Sequence, residues 1–155
     1  MTLWGHMAKG NAQWQQANGR KVLAIFSGPH AAISAGWYGE RNVVPTWNYV
    51  AVHVSGVLLV EEDPERLRQL VTDTVNVYEA GSDNPWSVDA ADADYLKHMM
   101  HGIVGFRIDI ERIEGCWKLN QHHSPARLRG AIAGLRQRGS GDDLEIARLM
   151  SENLP

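Results

Sequence analysis

The residues able to do chemistry gather at four polar-aromatic corners: "GHMAKGN" from Gly5, "SAGWY" from Ser34, "VPTWNY" from Val44 and "WKLNQ" from Trp117. Lys9 is a compact cation of the kind that holds a phosphate. His6, Ser34, Thr46, Asn48 and Gln121 add neutral hydrogen-bonding groups. Trp37, Trp47 and Tyr49 offer flat faces with a polar edge. Such a set suits a flat ligand that bears a phosphate and many hydrogen-bonding groups, and a flavin mononucleotide (FMN) is one such molecule. Each corner also has a packing explanation, since each sits at the margin of an expected strand.

Other chemistries find less support. His98 and His101 share a helix face in "HMMH", and His122 and His123 are adjacent. A zinc site needs three or four converging ligands. No third ligand stands at a telling spacing, so solvated or capping histidines are the better reading. His101, just before Gly102, complements a helix C-terminus. The chain has no G-x-S-x-G, no G-x-x-x-x-G-K-[ST] and no G-x-G-x-x-G after a strand. Cys116, beside Trp117 at a strand end, reads as a small buried residue. Two C-terminal helices carry Arg127, Arg129, Arg136 and Arg138, which raises a helix-turn-helix. The second of them opens Asp142-Asp143 and holds Glu145 and Glu152, the wrong sign for a phosphate backbone. A solvated amphipathic pair packing on a sheet is the expectation.

The chain's 155 residues carry a net charge of −3, with 44% hydrophobic and 21% charged residues, which argues for a globular domain and against a general polyanion binder. A lone cysteine excludes an internal disulfide and fits a reducing cytoplasm. The first residues lack a signal-like apolar region, and no apolar run is long enough for a bilayer. Six tryptophans in so short a chain favour a binding surface or a dimer interface.

The elements that must position these groups follow from periodicity and punctuation. Leu3–Met7 is the end of a strand, and residues 8–19 form a short helix or loop. Lys21–Phe26 and His30–Tyr38 are read as a hairpin about a Ser27–His30 turn. A long strand runs from about Thr46 to Val60, with Gly56 marking a bulge or bend. Asp63 and Pro64 start a helix whose inner face is Leu67, Leu70, Val71, Thr74, Val75 and Tyr78. A shorter helix before Gly102 turns Leu96, Met99 and Met100 inward. In Ile103–Gly115, Phe106, Ile108 and Ile110 alternate with Arg107, Asp109 and Glu111, a strand that "CWKLNQ" extends. Ser124-Pro125 opens a helix through Leu128, Ile132 and Leu135, and a last helix begins at Asp142. The sum is one α+β domain over residues 1–155: a mostly antiparallel sheet or small barrel, with helices at its edges and a helical pair packed on it from about residue 124.

The stretches "GHMAKGNAQW", "SGPHAAISAGWY", "VPTWNYVAVHVSG" and "GFRIDIERIEGCWKLNQHHSPARLRGAIAGL", in that order, resemble the PaiB-type FMN-binding split-barrel proteins. These are often described as negative transcriptional regulators of protease and sporulation genes. The resemblance spans almost the whole chain. It implies a cytoplasmic homodimeric split β-barrel with FMN in the groove between subunits. Lys9 would meet the flavin phosphate, with His6, Asn11 and Ser34 nearby. Trp37, Trp47, Asn48 and Gln121 would face the ring or the ribityl chain, and Thr46 and Lys118 belong to the same binding set. No catalytic residue and no metal ligand is implied. Lys9 stands where the family usually has Arg, which keeps the charge without the bidentate fork. Asn120, His122 and His123 also depart from the family pattern. Two further readings accompany the regulator: a flavin-dependent oxidoreductase of the pyridoxamine-phosphate-oxidase-like fold, and a module without flavin that dimerises or binds haem. The family has additional strands ahead of "GHMAK". An open strand edge is therefore expected on "KVLAIF" or on the long strand, covered by a dimer partner, with a weakened or empty flavin groove.

Overall fold

A computed structural model describes residues 1–154. Four strands, β1 (Thr2–Ala8), β2 (Arg20–Ile33), β3 (Thr46–Glu61) and β4 (Ile103–Lys118), form one sheet in the order β1-β4-β3-β2. The helices are α1 (Gln13–Ala17), α2 (Pro64–Glu79), α3 (Ala93–His101), α4 (Pro125–Arg138) and α5 (Asp143–Ser151). β1 pairs antiparallel with β4, from Thr2 opposite Asp109 to Ala8 opposite Ile103. Between β2 and β3, the Gly19 N–H donates to the Leu58 carbonyl, whereas Gly28 lies against Val50. Position rises along one strand as it falls along the other, so this pair is antiparallel too.

The chain condenses into two compact units, each taking part of the long strands. The first comprises Met1–Leu23 and Ser55–Arg112. Leu58, Leu67, Val88, Val104 and Ile108 are its buried hydrophobic residues. Asp63 caps α2 by accepting from the Glu65 N–H at 3.0 Å, and Pro64 sits at the first helical position, where its missing N–H costs nothing. Asp92 caps α3 in the same manner, accepting from the Asp94 and Tyr95 N–H groups. Gly56 is buried, and a methyl there would collide with the Asp109 carbonyl. The glycine expected to mark a bend is thus a point of close strand approach. Two expected inward residues face outward: Met99 is exposed, while Leu96 and Met100 are half-buried, and Tyr78 is exposed in the last turn of α2.

The second unit comprises Ala24–Val54 and the chain from Ile113 onward. Its core joins Ile33 and Tyr38 to Leu128, Leu135, Ile146 and Met150. Ser124 caps α4 through the Arg127 N–H, and Gly139 ends it with φ 58°, the left-handed conformation that glycine adopts without steric cost. Gly130 and Gly134 both face Trp37: a methyl on the first would meet its carbonyl oxygen, one on the second its ring.

Two expectations are corrected here. The hairpin is a single strand, Arg20–Ile33, and Ala35–Tyr38 is a 3-10 turn. Gly28 and Pro29 read as a turn, but Gly28 lets the strand approach Val50, and Pro29 is tolerated because β2 lies at the sheet's edge. Of the two strands on which an open edge is expected, the long one is not an edge, whereas "KVLAIF" lies in β2, an outer strand. β3 lies between β4 and β2, and the outer strands are β1 and β2.

The Trp37 contacts carry a direct expectation. Gly130→Ala lowers unfolding free energy by about 2 kcal/mol, because backbone must move to admit the methyl. Gly10→Ala, with open space around it, changes it by less than about 0.5 kcal/mol. Urea denaturation of both variants checks the contrast.

Candidate functional site

In the first unit, Lys9 lies on the turn between β1 and α1, and its backbone is fixed at both ends. Its N–H donates to the Gly102 carbonyl at 2.8 Å, and its carbonyl accepts from the Trp14 indole Nε1 at 3.0 Å. The Lys9 ammonium has no ion pair or side-chain hydrogen bond among the described residues. Asn11 closes the same turn: its N–H reaches the Ala8 carbonyl, and its Oδ1 accepts from the Gln13 N–H. His6 lies on β1 opposite Gly105 and is exposed.

Lys9 and Trp14 line a cavity of 570 Å³ whose other walls come from the end of β3, α2, α3 and the start of β4. Leu67, Leu96, Met100 and Val104 supply apolar wall, while Lys97 joins Lys9 among its cations and Glu61, Glu62 and Glu65 are its carboxylates. His101 also lines it, with Nδ1 2.6 Å from the Lys97 carbonyl. A carbonyl only accepts, so Nδ1 carries a proton, and Nε2 is left for another partner. The size and the mixed lining are those of a small-molecule site.

The remaining sequence candidates lie in the second unit, where most already have partners. The Ser34 hydroxyl accepts from the Gly36 N–H and starts the 3-10 turn. The Trp37 ring is covered by the Arg138 guanidinium, 5.0 Å from its centroid. Asn48 is wholly buried; its Nδ2 donates to the Met150 sulfur at 3.3 Å, and its Oδ1 has no partner among the described residues. Gln121 clamps the chain after β4, accepting from the Leu119 N–H and donating to the Trp117 carbonyl. Thr46 is half-buried at the start of β3, and Lys118 is exposed at the end of β4. Trp47 is the available aromatic face: half exposed, stacked on His30 with centroids 5.5 Å apart, beside an open groove of 470 Å³. Asp142 orients His30, accepting from its N–H at 3.1 Å and standing 3.4 Å from its Nδ1.

A polar cluster that sequence reasoning passed over surrounds Tyr38. Its hydroxyl accepts from the Asn120 Nδ2, and its ring meets His123 edge-on. Burial first, then the nearby His122 and Arg127, push the His123 pKa below its ordinary value. Arg127 holds Glu40, whose carboxyl is pulled down in turn by that bond. The only sequence signal was the run Asn120–His123 itself. Asn120 adopts φ 62°, a left-handed conformation that Asn tolerates better than most residues.

The sequence profile of the family described as "Putative FMN-binding domain" matches residues 1–112. The "Protease synthase and sporulation protein PAI 2" of Bacillus subtilis (strain 168) is 38% identical over 151 residues, covering 97% of this chain and 72% of that protein. A protein of Emericella nidulans is 29% identical over 181 residues, with the same coverages. Among solved structures, the flavocytochrome Anf3 from Azotobacter vinelandii superposes with a TM-score of 0.54 at 10% identity, over 75% of this chain and 50% of that one. The chain spans about half the length of that flavocytochrome, and the likeness speaks to fold alone. The fold is α+β and mainly antiparallel, of the split-barrel type, with peripheral helices and a C-terminal helical pair.

Beside the Trp47 groove, Arg138 grips the buried Asp143 through two bonds, Nε at 2.7 Å and Nη2 at 2.5 Å, and Ser140 adds its N–H and hydroxyl. Arg138, then the Ser140 bonds, overcome burial and bring the Asp143 pKa down to about 2. A depressed carboxylate stabilises the fold above its unfolded pKa, and that contribution fades as pH falls toward the folded one. Asp143→Asn should cost about 2 kcal/mol at neutral pH. It should also flatten the loss of stability between about pH 4 and 2. Denaturation at a series of pH values checks both; an unchanged acid limb would contradict the assignment.

Proposed function

This chain belongs to the FMN-binding family, and from that premise we propose that it is a cytoplasmic, homodimeric FMN-binding protein whose flavin phosphate is held by Lys9. The supporting observation is an ammonium without an ion pair among the described residues, on a turn fixed through both its N–H and its carbonyl, at a cavity with an apolar wall. An anion gains more from a charged donor than from a neutral one, and Lys9 is held in place before it arrives. Lys97 and Arg68 add positive charge to the lining, and Glu61, Glu62 and Glu65 add negative charge. Trp14, its ring fixed by the bond to the Lys9 carbonyl, together with Leu96 and Met100, offers the apolar surface that a flat ring system needs. FMN, once bound, supplies redox chemistry of its own. The chain's part is to bind, to orient and to exclude water. The free cysteine Cys116 suits a reducing compartment.

A role in transcription, the reading carried by the resemblance, would be indirect. The arginines of the C-terminal helices are largely engaged within the chain: Arg127 with Glu40, Arg138 with Asp143, and Arg148 with Glu145 and Glu152. Charges already neutralised in this way release few counterions from a nucleic acid. DNA binding by the purified chain is expected to be weak, with a shallow dependence on salt. Tight operator binding that falls steeply with salt, and is lost when Arg127, Arg129 and Arg136 are neutralised, would contradict this.

The phosphate assignment is tested by titrating FMN and phosphate-free riboflavin into wild type and Lys9→Ala. Loss of one charge-assisted bond should weaken FMN roughly 10- to 100-fold and leave riboflavin within about twofold. An unchanged ratio of the two affinities would sink the assignment.

A further inference from the structure

We infer that His101 is a specificity-determining residue of the Lys9 cavity, its Nε2 recognising a hydroxyl of the flavin's ribityl chain. This assignment rests on the FMN reading of the same cavity.

α3 gives the cavity one continuous face. Ala93, Leu96, Lys97, Met100 and His101 line it at the spacing of a single helical stripe. His98, in the same last turn, is not part of that lining. His101 is the one histidine on the cavity wall among the described residues.

The His101 ring is oriented before any ligand arrives. Nδ1 stands 2.6 Å from the Lys97 carbonyl, one turn back along the helix. A carbonyl only accepts, so this nitrogen carries a proton. Nε2 lies on the other side of the imidazole. With Nδ1 turned back on its own helix, Nε2 points away from the α3 backbone, and it has no partner among the described residues. Complementing the helix end, the role that the sequence suggests, uses Nδ1 alone. Nε2 is the nitrogen that a ligand can reach.

The position of His101 says which part of the ligand it meets. The Lys9 N–H donates at 2.8 Å to the carbonyl of Gly102, the residue that follows His101. That bond sets the backbone of the phosphate-holding cation beside the backbone of the histidine. In FMN the ribityl hydroxyls lie between the phosphate and the ring, so they are the polar groups next to the phosphate. Hydrogen-bond chemistry selects the same groups. Neutral imidazole offers a lone pair at Nε2, and imidazolium offers a proton there. A hydroxyl donates and accepts, so it suits both forms. The ring carbonyls of a flavin only accept, and its imide N–H only donates. The strong side-chain acceptors elsewhere in the lining, Glu61, Glu62 and Glu65, bring negative charge, whereas His101 accepts without it.

The test titrates FMN, riboflavin and lumiflavin into wild type, His101→Phe, His101→Gln and Lys9→Ala, with circular dichroism as the check on folding. Riboflavin lacks the phosphate, and lumiflavin lacks the ribityl hydroxyls as well. Loss of one hydrogen bond in His101→Phe should weaken riboflavin roughly three- to tenfold and leave lumiflavin within about twofold. His101→Gln keeps a donor and an acceptor at similar reach and should retain most of the preference for riboflavin. Lys9→Ala should alter the FMN-to-riboflavin ratio and leave the riboflavin-to-lumiflavin ratio alone. Wild type gives a reading that needs no variant to fold: in nitrogen-15 spectra the His101 Nε2 resonance should move on adding riboflavin and much less on adding lumiflavin. A riboflavin-to-lumiflavin ratio unchanged in His101→Phe, or an Nε2 resonance that answers both flavins alike, overturns the inference and leaves the Lys9 assignment standing. A change confined to the FMN-to-riboflavin ratio overturns it too, by placing His101 on the phosphate. If neither FMN nor riboflavin binds wild type, the FMN reading falls and this inference falls with it.

Discussion

The first unit's candidate site depends on one tether, the two backbone bonds that hold Lys9. Its N–H is given to Gly102, the residue joining α3 to β4, and its carbonyl receives the indole of Trp14 from α1. These bonds tie three elements to one cation. Gly105 allows a second convergence, because a methyl there would crowd Leu67 from α2 and Glu61 from β3. α2 therefore lies close to β4 and brings Glu65 and Leu67 into the cavity wall. Charge, apolar surface and volume meet there because backbone bonds and a missing side chain bring them together.

The second unit spends its unusual residues on packing. Trp37 is held between α4, where two glycines make room for it, and the guanidinium of Arg138. The same Arg138 fixes Asp143 at the start of α5 and reaches the Ala32 carbonyl on β2. One side chain thus joins helix, helix start and strand, which explains why α4 and α5 pack as a pair although α5 opens with two acidic residues. Asp142 and Asp143, which argued against contact with a polyanion, also have local duties on His30 and Arg138.

Much of the fold was legible because its signals are local. Asp63-Pro64 and Ser124-Pro125 announce helix starts through capping chemistry, and the alternation in Ile103–Lys118 announces a half-buried strand. The path through Gly28-Pro29 was not legible, since both residues favour turns and only their place on an outer strand makes extension affordable. Lys9 stood out as a candidate from its charge and its glycine-containing turn. Its companions did not, because Trp14, Lys97 and His101 arrive from separate elements and share no motif. In the aromatic corners the sequence shows donors and rings without showing which are already used. Ser34, Trp37 and Gln121 have partners inside their own unit, and Asn48 is buried beside Met150.

The central claim is that FMN occupies the cavity beside Lys9 and not the aromatic corners of the second unit. Hydrogen–deuterium exchange of the chain with and without saturating FMN tests it most directly. The account predicts slowed exchange in residues 8–14 and in residues 93–104, which frame the cavity. Slowing confined to residues 45–49 and 117–121, with the Lys9 turn unchanged, would contradict it.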